Sequence, residues 1–62
     1  MLDSSIALYD GQWFVGSYED GYTIAGNYDD GYTVWRTADG EDSETLYAHQ
    51  SFERCLVWCI NS

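Results

Sequence analysis

The dipeptide Asp-Gly occurs four times, at Asp10-Gly11, Asp20-Gly21, Asp30-Gly31 and Asp39-Gly40, in steps of ten, ten and nine residues. Between these pairs lie three similar segments, 12–18, 22–28 and 32–37, each rich in aromatic and β-branched residues. Such residues fit a pleated, half-buried surface. Glycine takes φ > 0 without steric cost and aspartate tolerates the turn, so Asp-Gly between strand-like runs marks a hairpin. The repeat predicts an antiparallel meander.

Loop length decides which side chains face the core, because a one-residue slip sends every side chain to the other face. Two-residue Asp-Gly loops would pair Glu19 with Tyr22. Three-residue loops, Glu19-Asp20-Gly21 and Asp29-Asp30-Gly31, pair Tyr18 with Tyr22 as a type I turn closed by Gly in a bulge. That register gathers Phe14, Tyr18, Tyr22, Ile24, Tyr28, Tyr32 and Val34 on one nearly apolar face. Trp13, Val15, Thr23, Ala25, Asn27, Thr33, Trp35 and Thr37 then lie opposite. The three-residue register is the expectation because it separates apolar from polar better.

The flanks complete the outline. Ile6 and Leu8 alternate with Ala7 and Tyr9 in a lead-in strand. After an acidic loop, residues 44–49 read as a last strand with Leu46 and Ala48 inward and Tyr47 outward. Ser51 is placed to cap a helix, with Glu53 complementing the dipole in its first turn. Phe52, Cys55, Leu56 and Cys59 then recur at helical spacing as an apolar stripe. The expected fold is α+β: a four- to five-stranded antiparallel β-meander with one C-terminal α-helix packed on one face. Strands are expected at about 4–9, 12–18, 22–28, 32–37 and 44–49, and the helix at about 51–61, in a single domain spanning 1–62. The helix supplies the second layer that a lone sheet lacks.

Sixty-two residues give a small core, burying roughly 60% of the unfolded surface. A hydrophobic content of 45% is too high for a disordered acidic tail. The sequence has no apolar run near the roughly 20 residues of a membrane span and no basic-then-apolar leader. It predicts a soluble, cytosolic protein.

Residue patterns for catalysis are absent. His49 is the lone histidine, and Cys55 and Cys59 offer two thiols where zinc takes four ligands. Cβ atoms a turn apart on a helix stand about 5–6 Å from one another, too far for an unstrained disulfide. Buried free thiols are expected instead. The 39–44 loop lacks the ligand frame of a calcium loop. We expect no catalytic residues, no metal and no cofactor.

The charge carries the functional reading. Eleven carboxylates face only Arg36 and Arg54, for a net charge of -9. Such a chain repels phosphates, which excludes direct nucleic-acid binding. Nine of the acids cluster at or near turns: Asp10, Glu19, Asp20, Asp29, Asp30, Asp39, Glu41, Asp42 and Glu44. Turn preference explains part of this, but not the paired acids or the missing lysines. Alternate turns of a meander fall at opposite ends, so Asp10 and the 29–30 tip share one end. Glu19, Asp20 and the 39–44 loop share the other. Two negative ridges, separated by about 20–25 Å of strand, resemble the phosphate rows that edge a DNA groove.

In length, in the pairs Glu19-Asp20 and Asp29-Asp30, in the 39–44 loop and in its scarcity of cations, the chain resembles the small acidic phage proteins that imitate DNA. These are the anti-CRISPR proteins, especially inhibitors of type I complexes, and the anti-restriction proteins. The resemblance implies a stoichiometric inhibitor in the host bacterial cytosol. Its partner would be a basic nucleic-acid-binding protein, a CRISPR effector subunit or a restriction enzyme, and the chain a monomer or weak homodimer. A second reading uses Trp13, Trp35 and Tyr47 as an exposed aromatic face that binds a sugar or peptide. A third is a small structural or regulatory protein, or a homodimer that covers that face.

Overall fold

The computed structural model describes residues 5–62. Five strands, β1 (Ile6–Tyr9), β2 (Gln12–Val15), β3 (Tyr22–Asn27), β4 (Gly31–Arg36) and β5 (Tyr47–His49), precede the helix α1 (Phe52–Asn61). The sheet order is β1-β2-β3-β4-β5, each strand antiparallel to the next. The α+β meander with one C-terminal helix is therefore the fold. The expected first strand began at residue 4, which lies outside the described residues.

Three connections show how local chemistry sets the register. Tyr9 opposes Gln12, so Asp10-Gly11 is a two-residue loop. Asp10 (φ 52°) and Gly11 (φ 79°) both have positive φ, the type I′ geometry whose twist matches the flanking strands. Between β3 and β4, Asn27 opposes Gly31 across the three-residue loop Tyr28-Asp29-Asp30. The Asp30 N–H donates to Asn27 Oδ1 at 2.7 Å, closing that turn. This loop starts one residue earlier than expected and brings Gly26, not Tyr28, opposite Tyr32. A shift of two preserves the faces, so Tyr22, Ile24, Tyr32 and Val34 share one side as expected.

The middle connection overturns the sequence-based register. β2 ends at Val15, which opposes Tyr22, leaving a loop over 16–21 rather than a tight turn at 19–21. Its inner closure is a bond from the Gly21 N–H to the Ser17 carbonyl at 2.7 Å. A Cβ on Gly21 would collide with the carbonyl oxygens of Val15 and Ser17. Gly21 is thus fixed by close approach, not by a bulge. The odd shift turns β2 over: Trp13 and Val15 face the helix, and Phe14 faces away. Tyr18 lies in the loop, 64% exposed.

β5 is also reversed. Tyr47 opposes Val34 on the helix side, where its ring stacks on Trp58 at 5.4 Å and 10°. Leu46 is left 43% exposed. The flat indole on α1 makes the larger ring the better partner, since aromatic pairs bury more area and add stacking.

The helix begins where expected. Ser51 is extended (φ -96°, ψ 125°) and its side chain accepts from the Arg54 N–H, satisfying one of the free amides of the first turn. Cys55 and Cys59 point at the sheet and, with Val15, Ile24 and Val34, form a core of fully buried side chains. Two aromatic groups bracket it. Trp13, Tyr32 and Phe52 sit over the start of α1, with Trp13 and Phe52 centroids 4.6 Å apart. Tyr22, Tyr47 and Trp58 sit toward its end. On the opposite face Thr23 and Trp35, which are paired, are both buried. The Thr23 hydroxyl shares a 2.7 Å hydrogen bond with that of Thr37.

This register makes an asymmetric stability prediction. Ile24→Ala empties a fully buried site and is expected to cost about 2–5 kcal/mol. Leu46→Ala is expected to cost under about 1 kcal/mol, because the side chain is already wet. Urea denaturation of both variants checks this, and a larger loss for Leu46→Ala would contradict the placement of β5.

Candidate functional site

Each of the nine turn-associated acids is exposed, and the fold sorts them as strand parity requires. Asp10 lies in the β1–β2 turn, Asp29 and Asp30 in the β3–β4 turn, and both turns are at one end of the sheet. Glu19 and Asp20 occupy the 16–21 loop at the other end. Asp39 ends a 3-10 turn over Thr37–Asp39, and Glu41, Asp42 and Glu44 follow in the connection to β5.

Local hydrogen bonds hold these loops. Asn27 receives the Asp30 amide and its Nδ2 donates to the Asp30 carboxylate at 3.2 Å. Ser17 Oγ accepts the Asp20 N–H at 3.1 Å. Arg36 donates to the Glu19 carbonyl oxygen at 3.2 Å, tying β4 to the 16–21 loop. Ser43 Oγ donates to the Gly40 carbonyl at 2.6 Å, folding the 40–43 turn back on itself. Side chains that could bind a partner thus project from braced backbone.

The sequence reading left Glu53 out of the ridges. After five strands the chain re-emerges beside Asp10, Asp29 and Asp30, so the exposed Glu53 joins that end. Counting strand parity as far as the helix would have found it. With Tyr28, Tyr32, His49, Gln50, Ser51 and Phe52 it lines an open groove of about 570 Å³.

Trp13, Trp35 and Tyr47 are not brought together. Trp13 and Tyr47 lie under α1, while Trp35 is on the far face at 7% exposure. The expected three-ring platform does not form, because β2 and β5 are turned over. The exposed rings are instead Tyr9, Tyr18 and Tyr28.

His49 and Ser51 both serve the start of the helix. His49 Nδ1 accepts the Ser51 N–H at 2.9 Å, and its ring stacks on Tyr47. Cys55 and Cys59 are free, buried thiols. Burial pushes the Cys55 thiol up, and burial together with its neighbour Cys55 pushes Cys59 up to about 12. Such thiols are poor nucleophiles at neutral pH, since the thiolate is the reactive form. Among the described residues no group of three or more His, Cys, Asp or Glu is placed to hold a metal ion. No helix among them is long and apolar enough to cross a membrane.

Comparison with protein-family models, curated proteins and solved structures finds no match. The reading of function therefore rests on the chain's own geometry.

The thiols give a pH prediction. A folded-state pKa raised above the ordinary thiol value of 9.0 stabilises the fold fully below pH 9.0. That contribution is lost as pH climbs toward about 12, because the unfolded thiol ionises first. Stability is expected to fall more steeply between pH 9 and 11 in the native protein than in Cys59→Ala. Parallel slopes in urea titrations across that range would contradict it.

Proposed function

We propose that this chain is a non-catalytic, phage-type inhibitor that imitates DNA. Its acidic turns would occupy the DNA- or PAM-binding surface of a type I CRISPR complex, or of another host defence protein such as a restriction enzyme. It would act in the host bacterial cytosol.

The observation that carries this reading is the exposure of all nine turn-associated acids at the two ends of one small sheet. The described residues carry a net charge of -8, the chain's -9 without Asp3, over a longest dimension of 29 Å. That is about 3.6 Å of length per charge, roughly half the density of duplex DNA, which carries one charge per about 1.7 Å with both strands counted. Two cations offset these acids: Arg36 at the end of β4, which donates to the Glu19 carbonyl oxygen, and Arg54 beside Glu53 in the first turn of α1. Exposed negative ridges suit a basic channel whose lysines and arginines otherwise neutralise phosphates.

Affinity capture from a bacterial lysate tests the proposal. Proteins that handle nucleic acid should be retained and then released by duplex DNA. Asp29→Asn with Asp30→Asn should weaken binding roughly 2- to 30-fold without unfolding the domain, because losing mutually repelling surface charges does not destabilise it. Neutralising the 39–44 loop should weaken it further. Retention that is indifferent to DNA, to raised salt and to these substitutions would refute mimicry.

A further inference from the structure

On the face of the sheet away from α1, the reversal of β2 creates a feature that the acids alone do not suggest. Ala7 and Phe14 are paired neighbours on that face. With Tyr9, Gly16, Ser17, Tyr18 and Thr37 they line an open groove of about 420 Å³. Its aromatic walls are unusually wet, Tyr9 at 73% and Tyr18 at 64% exposure. Acids adjoin these walls in the chain: Asp10 follows Tyr9, Glu19 and Asp20 follow Tyr18, and Asp39 stands two residues beyond Thr37. An apolar floor thus lies between the negative turns of the two sheet ends.

We propose that this groove receives an apolar side chain from a cationic polypeptide segment, whose flanking lysines or arginines reach the acids at both ends. The proposal rests on the reading that the partner is a basic protein, and adds where its apolar anchor sits. Charge complementarity chooses the occupant. A second copy would bring another eleven carboxylates against the same turns with only two arginines to offset them, and like charges oppose such an approach. A nucleic acid is refused on the same ground. A cationic segment removes the repulsion between the turns while its apolar residue shields Phe14, Tyr9 and Tyr18 from water. The reach is adequate, because nine extended residues span about 30 Å, matching the 29 Å length of the molecule.

Three synthetic nonapeptides with blocked ends test this on the full chain. One carries a tryptophan between four lysines on either side, one is nonalysine, and one carries the tryptophan between four serines on either side. Calorimetry should show the lysine–tryptophan peptide binding roughly tenfold or more tighter than nonalysine, with the serine peptide weaker than both. Amide NMR shifts should centre on Ala7, Phe14, Ser17, Tyr18 and Thr37. Tyr18→Ser, at an exposed loop position, should bring the lysine–tryptophan peptide down to the affinity of nonalysine and leave nonalysine unchanged. Equal binding of the two cationic peptides would overturn the groove while sparing the acidic ridges. Absence of binding by either at low salt would overturn both. Serine-peptide binding as tight as the lysine–tryptophan peptide would overturn a cationic occupant. Shifts confined to the groove beside His49, or Tyr18-dependent dimers in sedimentation equilibrium, would overturn the assignment as well.

Discussion

The packing of one ten-residue helix on one face of the meander holds this molecule together. Val15, Ile24 and Val34 meet Cys55 and Cys59 with no exposed surface left. The thiols are small, so α1 can lie close to the branched side chains of β2, β3 and β4. Close approach at the centre leaves room at the margins for rings, and the two aromatic groups fill it. Trp13 against Phe52 and Tyr47 against Trp58 extend a small centre into a continuous layer. In a domain of this size, where the buried fraction is low, those rings provide much of the apolar burial.

The same residues that make the chain fold also make it acidic. Asp10 takes the positive φ that its tight turn needs, and the Asp30 carboxylate accepts from Asn27 Nδ2 across its loop. Neither could become lysine without losing a turn-forming side chain. Glu19, Asp29, Glu41 and Glu44 have no hydrogen bond of that kind described for their side chains, so turn chemistry does not explain them. A net charge of -9 opposes compaction. Placing the charge at the two ends of the sheet, away from the helix–sheet interface, lets the core form while the potential outside stays high.

The meander, the helix and its Ser51 cap were legible in the sequence because each depends on local chemistry: Asp-Gly turns, a 3.6-residue stripe and a hydroxyl at the helix start. The faces of β3 and β4 were legible for a subtler reason. The error in their loop was an even number of positions, which alternation forgives. β2 and β5 were misread because both of their faces are apolar enough to be buried. Phe14 competes with Trp13 and Val15, and Leu46 with Tyr47, so hydrophobicity could not choose. The choice came from contacts with the helix, Phe52 awaiting Trp13 and Trp58 awaiting Tyr47, and from Gly21 packed within its loop against the Val15 carbonyl. The acids at the turns were legible, but not Glu53's place beside them, which required counting strands to the helix.

Those two reversals also change what the open face of the sheet can do. In the expected register it held three large rings, a platform for stacking. In the structure Trp35 is buried beside Thr23, and Phe14 with Tyr9 and Tyr18 forms a groove nearer the β1 edge. A flat aromatic platform suits sugars or bases and is indifferent to charge. A groove between acidic turns suits side chains carried on a positive backbone of residues. The displacement of one strand by an odd number of positions thus moves the apolar surface to where the acids are. On the proposed cationic partner, charge and apolar contact would act together: the acids would raise the encounter rate and set orientation, and the groove would slow release once an apolar side chain is seated.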